Sequence, residues 1–379
     1  MEERTILNNS DLHQARQTKA DEFYTSYNDV DAELSHYTTF LKGKNIYCPC
    51  DTSKSSFFNW FENNYHRLEL SGLTATSYSP ETGHGFIYRY DGDYLSVGRL
   101  VENGDFASDE CRLLMKDADV IATNPPFSLF RKFMQTVRES GSYFLVIGNI
   151  NAVTYKEIFP CIVEKETMLG VSIHSGDREF RVPDDYPLEG TACRQDSETL
   201  QKFIRVKGVR WFTNIWRTDE RVNKGVVDFG NRILYVPENV GNDVENISEN
   251  VGDSSLVSHL NMDLANTNKT SNSQKVRILT EKFSTEKYQK FDTYEAYNVN
   301  SMKEIPYDSG NLELGVPITV IDSMNDDNLL EFKTESGEQI LFEIIGMLNS
   351  GGRPELYDFA KPIIDGKCKF KRLIIKRVN

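Results

Sequence analysis

Val120-Ile121-Ala122-Thr123-Asn124-Pro125-Pro126-Phe127 decides the fold: an apolar run that ends in a carboxamide, two prolines and a flat ring. A short apolar run followed by turn residues reads as a buried strand. Each proline fixes φ and lacks an N–H, so the corner is stiff and both its carbonyls are expected to stay clear of helix or sheet pairing. Asn124, Pro125, Pro126 and Phe127 thus offer acceptors for an amino group and a face for a planar base. Methylation of an exocyclic amine requires such a set.

Strand and helix alternate outward from that corner. Upstream, Asp29 is the expected cap of a helix carrying Leu34, Tyr37, Phe40 and Leu41 on one face. Asn45–Cys48 reads as a strand that breaks at Pro49 and passes through Cys50-Asp51-Thr52-Ser53 into a helix with Phe57, Phe58, Phe61 and Tyr65. A strand follows near Leu73–Tyr78, then a hairpin around Asp91-Gly92 and a helix capped by Ser108. Downstream, helix Ser128–Arg138 leads to strand Tyr143–Gly148, and strands near Met168–Ile173 and Val209–Ile215 complete the sheet as a hairpin. The pattern predicts an α/β doubly wound sheet with its ligands at the strands' carboxyl ends. Residues 1–220 form the expected catalytic domain. Residues 221–379 form a smaller region that includes a polar loop over 237–274, expected to be mobile.

The chain has 379 residues and a net charge of −14, a balance that points away from nucleic acid. The charge is uneven, however. Lys202–Arg232 carries eight Lys/Arg against three acids, and Gly366–Asn379 carries six basic residues and no acid. Local patches of this kind bind phosphates, and Arg205, Lys207, Arg210, Arg217 and Arg221 are the candidate DNA contacts. No apolar run is long enough to span a membrane, and Met1-Glu2-Glu3-Arg4 lacks a signal-peptide pattern. The six cysteines are scattered, which predicts reduced thiols and a cytoplasmic setting. Neither Cys48-Pro49-Cys50 nor the histidines have ligand-spaced partners, so no metal site is expected.

An adenine 6-amino nitrogen is a poor nucleophile because its lone pair delocalises into the ring. Asn124 Oδ1 and the Pro125 carbonyl can each accept one amino hydrogen, while Phe127 stacks on the base. Such alignment is worth roughly 7–11 kcal/mol of barrier. Extruding the base costs a few kcal/mol, and a second stacking surface returns roughly 1–3 kcal/mol. Trp211 and Phe212 are candidates for that surface; core packing of their strand is the other reading, and alternation argues against both facing one pocket. For the donor, S-adenosylmethionine, Cys50 and Asp51 are candidates for its ammonium, and Asp105 and Phe106 for its adenine. Phe23, Tyr24 and Thr25 are candidates to close the pocket.

Six stretches together resemble the EcoRI-type adenine-specific DNA methyltransferases, a family with the usual methyltransferase α/β fold. They are Asp21-Glu22-Phe23-Tyr24-Thr25, Tyr47-Cys48-Pro49-Cys50-Asp51 with Ser56-Phe57-Phe58, Gly104-Asp105-Phe106, Thr123–Arg131, Trp211-Phe212-Thr213-Asn214 and Gly315-Val316-Pro317-Ile318-Thr319. The resemblance implies a catalytic motif at Asn124–Phe127, donor contacts at Asp51 and Asp105, and target recognition in the later region. It further implies duplex DNA as partner, action as a monomer, and a place in a restriction-modification or protective system. The sequence departs from the family in lacking a glycine-rich donor loop, in having Thr52-Ser53 where an acid and a proline are usual, and in lacking an acid after the second strand. RNA adenine or protein glutamine as acceptor, and a catalytically silent DNA-binding module, are the competing readings. A fused nuclease, prompted by Glu331-Phe332-Lys333, lacks an upstream metal-binding acid.

Overall fold

The structure is a computed structural model. It describes residues 23–174, 177–184, 186, 192–215, 276–325, 327–349 and 356–378, with the short strands Val226–Asp228 and Ile233–Tyr235. The expected loop 237–274 lies outside the described residues.

The N-terminal half is an α/β layer built on a mixed sheet of eight strands. In chain order these are β1 (Asn45–Pro49), β2 (Gly72–Ser77), β3 (Phe86–Tyr90), β4 (Leu95–Arg99), β5 (Val120–Thr123), β6 (Tyr143–Asn149), β7 (Met168–Leu169) and, after an inserted sheet, β11 (Val209–Thr213). Their order is β4-β3-β2-β1-β5-β6-β11-β7. The central strands β2, β1, β5 and β6 run parallel, with Ile46 opposite Val120 and Ile121 opposite Phe144. The chain leaves β1 toward β2 on one side and returns as β5 on the other. The topological switch point therefore lies between β1 and β5, where open α/β sheets bind ligands. β11 pairs antiparallel with both β6 and β7, the expected closing hairpin.

Side chains on these strands alternate between two cores. Ile46, Cys48, Val120, Ala122 and Trp211 pack with helices α1 (Tyr27–Leu34) and α2 (Ser56–Asn63). Tyr47, Ile121, Phe144 and Phe212 pack with helices α3 (Asp109–Asp117) and α4 (Phe130–Ser140). Ser26, not Asp29, caps α1: its hydroxyl accepts from the Asp29 N–H and donates to the Asp29 carboxylate, a reciprocal cap that puts Asp29 inside the first turn.

Between β7 and β11 the sequence inserts a three-stranded antiparallel sheet of β8 (Asp177–Val182), β9 (Cys193–Gln195) and β10 (Lys202–Lys207). Tyr24 pairs with Arg181 on the edge of β8, so the segment ahead of α1 is stitched to this sheet. The C-terminal region forms a second large sheet, with Gln339–Leu348 and Arg372–Arg377 at its centre. Its apolar residues Leu330, Phe342 and Leu373 join the same cluster as Phe144 and Phe212, so one core runs through both layers. Among the described residues no helix is long and apolar enough to cross a membrane.

Candidate active site

Asn124 follows the last residue of β5. Two features fix its carboxamide. Its Nδ2 donates to the Phe23 carbonyl at 2.7 Å, and its Oδ1 is buried without a hydrogen-bond partner. A buried acceptor left unpaired costs roughly 1–3 kcal/mol, so the oxygen is poised for a donor brought by a ligand. The two corner carbonyls differ. Pro126 O accepts from the Leu129 N–H at 2.9 Å, whereas Pro125 O accepts no backbone N–H among the described residues. The expectation of two open carbonyls is corrected to one: Pro126 is drawn into the short 3-10 turn Phe127–Leu129.

Phe127 is half-buried and is held by two edge contacts. Its ring lies 5.5 Å from Phe23 at 70° and 6.2 Å from Phe180 at 87°. Each such contact adds about 0.5–1.5 kcal/mol, so the ring plane is set before any base arrives. Phe180, on β8, was not foreseen; the alternation of Phe180 with Val182 in a polar stretch is its one sequence signal.

Across the switch point, Asp51 follows the end of β1. Its carboxylate accepts from the Thr123 hydroxyl at 2.7 Å, so the residue before Asn124 ties the two strand ends together. Burial pushes the Asp51 carboxyl up to about 7, and hydrogen bonds from Thr123 and Ser55 offset only part of that. The residue keeps some accessible surface, but its carboxyl is set among densely packed groups. Cys50 makes the turn in the left-handed region at φ 62, a conformation usually left to glycine that costs a side-chain-bearing residue about 1–3 kcal/mol. A cationic amino group fits here, because Asp51 is a carboxylate held charged only at a cost. β2 ends in Thr76-Ser77 with Tyr78 beyond, so no acid directly follows the second strand.

The segment Phe23-Tyr24-Thr25 spans both halves of the site. Phe23 touches the Asn124 amide and the Phe127 ring, while the Thr25 carbonyl accepts from Ser56 Oγ at the head of α2. Thr25 Oγ1 is a second buried polar atom without a partner. Tyr24 is 46% exposed.

Gly104 brings the next loop onto the end of β2. It has φ +83, and a Cβ there would lie 2.3 Å from the Ser77 carbonyl. Asp105 accepts from the Ala107 N–H and meets Lys132 at 3.4 Å. Phe106 is corrected: at 3% exposure, edge-on to Phe133 at 5.1 Å, it has no open face for the donor's adenine.

Three further expectations fall. Trp211 and Phe212 are both fully buried on opposite faces of the sheet, against Phe57 and Phe130, so neither is open to a base. Arg210 is not a surface cation. It is 3% exposed, and its guanidinium grips Asp322 of the C-terminal region at 2.6 and 2.7 Å while also donating to the His174 carbonyl. Arg205 and Lys207 are exposed on β10; Arg217 and Arg221 lie outside the described residues. Among the described residues no group of three His, Cys, Asp or Glu side chains is arranged to hold a metal ion.

The sequence also matches known proteins. The family described as "Adenine-specific methyltransferase EcoRI" matches residues 11–224 and 217–378. Type II methyltransferase M.EcoRI of Escherichia coli is 31% identical over 385 residues, covering 96% of this chain and 95% of its own. Type II methyltransferase M.MpnI of Mycoplasma pneumoniae is 30% identical over 319 residues, covering 83% and 82%. Type II methyltransferase M.MgeORF184P of Mycoplasma genitalium is 26% identical over 368 residues, covering 97% and 98%. No solved structure matches the chain. With the match running through the Asn124 corner, the inserted sheet and the C-terminal layer alike, the chain belongs to the EcoRI family of adenine-specific methyltransferases.

Proposed function

We propose that this enzyme transfers a methyl group from S-adenosylmethionine to the 6-amino nitrogen of an adenine extruded from duplex DNA. Its role is that of a modification enzyme in a restriction-modification or protective system; the relatives' names, Type II methyltransferases, support that role. The observation that carries the chemistry is the buried, unpartnered Oδ1 of Asn124, held in orientation by the Phe23 carbonyl.

The bound donor supplies an electrophilic methyl on a sulfonium. The rest belongs to this chain. Asn124 Oδ1 and Pro125 O accept the two amino hydrogens and draw the lone pair out of conjugation with the ring. Phe127, braced by Phe23 and Phe180, sets the plane of the base. Asp51 holds the donor's ammonium, and Thr123 fixes the spacing between donor and acceptor ends. No base is deprotonated beforehand, because the amino proton becomes acidic only as the methyl arrives. That proton stays on the amino nitrogen, hydrogen-bonded to Asn124 Oδ1, until water takes it. Residues 1–220 carry this chemistry, and residues 221–379 carry target recognition.

Asn124→Ala tests the reading. Methyl transfer to duplex DNA is expected to fall at least about a hundredfold, the scale of losing one oriented polar group in a transition state, while donor affinity stays within about twofold. Full turnover by that variant would remove Asn124 from the chemistry. Methylation of RNA, with duplex DNA untouched, would replace the substrate.

A further inference from the structure

The C-terminal region presents one surface that no role above absorbs. Lys361–Lys371 holds four lysines and a single acid in a chain of net charge −14. Within it, Ile363–Ile364 and Lys367–Cys368 form a hairpin whose turn residues Asp365 and Gly366 both have positive φ (51° and 71°), a tight and rigid connection. Ile364 is buried beneath the hairpin, and the Gly366 N–H donates to Asp292 at 2.9 Å. Lys367, Cys368, Lys369 and Phe370 all face outward, Phe370 at 89% exposure. A ragged end could leave a phenylalanine in water, but this backbone is pinned. The buried Arg372 guanidinium donates to the carbonyls of Phe370 and Lys371, each at 3.2 Å.

The surface adjoins the reacting corner. Lys371 Nζ reaches the Thr154 hydroxyl at 2.9 Å, in the turn that leaves β6. Arg131, four residues past Phe127, lies over the ring of the next residue, Tyr155, at 4.5 Å. Two cations therefore stand over neighbouring residues at the carboxyl edge of β5 and β6, and Glu157, 3.3 Å from Arg131 Nε, is the one carboxylate paired with Arg131 among the described residues. Burial depresses the Lys371 ammonium, repulsion from Arg131 adds to this and Asp358 offsets part of it; a further anion between the two cations would act in the same sense as Asp358. Trp211 and Phe212 are buried, so neither can stack on an extruded base or enter the step it leaves.

We propose that Arg131 and Lys371 hold a backbone phosphate of the target strand beside the extruded adenine, while Phe370 enters the base step it vacates and Lys367 and Lys369 follow the adjoining phosphates. The inference rests on the DNA adenine reading. It assigns the exposed aromatic a duplex wedge, since inserted apolar side chains unstack and open base steps.

The test uses the full chain and a duplex carrying a motif that the wild type methylates, located by sequencing methylated plasmid. If the wild type methylates no duplex, the functional reading fails. If it does, this inference stands or falls on the variants. K367Q/K369Q/K371Q should lower the slope of log affinity against log salt by about one for each phosphate that is no longer neutralised, and K371R should regain its share. F370A should lose at least about half of the fluorescence rise of 2-aminopurine at the target position, with F370W restoring it. Donor affinity unchanged in all of them confirms that the variants fold. An unchanged slope in the triple variant, or full 2-aminopurine response in F370A, overturns the assignment.

Discussion

Asp51 is the residue whose chemistry is easiest to read in solution. Its carboxyl moves from an ordinary 3.8 to about 7 because burial penalises the charged form. The native chain then keeps a proton between those values that the unfolded chain has lost. Stability from this group is fully present below 3.8 and is lost as pH rises through about 7. A bound ammonium acts in the opposite sense, since it favours the carboxylate. Donor affinity is therefore expected to rise with pH by at most about tenfold per unit, levelling off above about 7. Calorimetric titration of the donor across that range checks the sign, and Asp51→Asn should flatten the profile. A rise that persists in Asp51→Asn would assign the titration to another group.

At the scale of elements, β11 separates packing from recognition. Trp211 and Phe212 are the side chains that glue α2 and α4 to opposite faces of the sheet. Phe212→Ala should cost about 3–5 kcal/mol of stability, read from denaturant unfolding. The salt slope of DNA binding should stay unchanged in the folded fraction; a normal stability with a diminished slope would reverse that assignment. The reason the sequence left stacking and packing both open is physical. A two-residue aromatic run on a strand says that both faces are apolar, but not what covers them. The Asn124 corner was legible because proline chemistry is local, and the parallel strands because each is a compact apolar run ending in turn residues. The sheet of β8, β9 and β10 was not. Its strands Asp177–Val182 and Lys202–Lys207 read as charged, with buried positions only at Phe180, Val182 and Val206.

At the scale of the molecule, the two layers are locked by a pair that sequence could not suggest. Arg210 and Asp322 stand 112 residues apart and meet in a site where their side chains are 4% and 6% exposed. A cation in a basic stretch looks like a phosphate contact until its acid is found in space. Breaking a buried pair from one side leaves an uncompensated charge, so Arg210→Ala and Asp322→Ala should each destabilise by about 3–5 kcal/mol. Thermal unfolding of the double variant Arg210→Met/Asp322→Leu should show a smaller loss than either single change. A loss equal to the sum of the two would mean that the residues do not act as a pair. The same architecture brings the strand edges of β1 and β5 together under the Phe23 segment, and the proposed function turns on the Asn124 oxygen. A crystal structure with a non-transferable donor analogue and a duplex bearing the methylated motif tests this most directly. The account predicts an extruded adenine whose 6-amino nitrogen lies about 2.7–3.2 Å from Asn124 Oδ1, with Phe127 on its face. An adenine still stacked in the duplex, or an Asn124 oxygen bonded within the protein and turned from the donor, would contradict it.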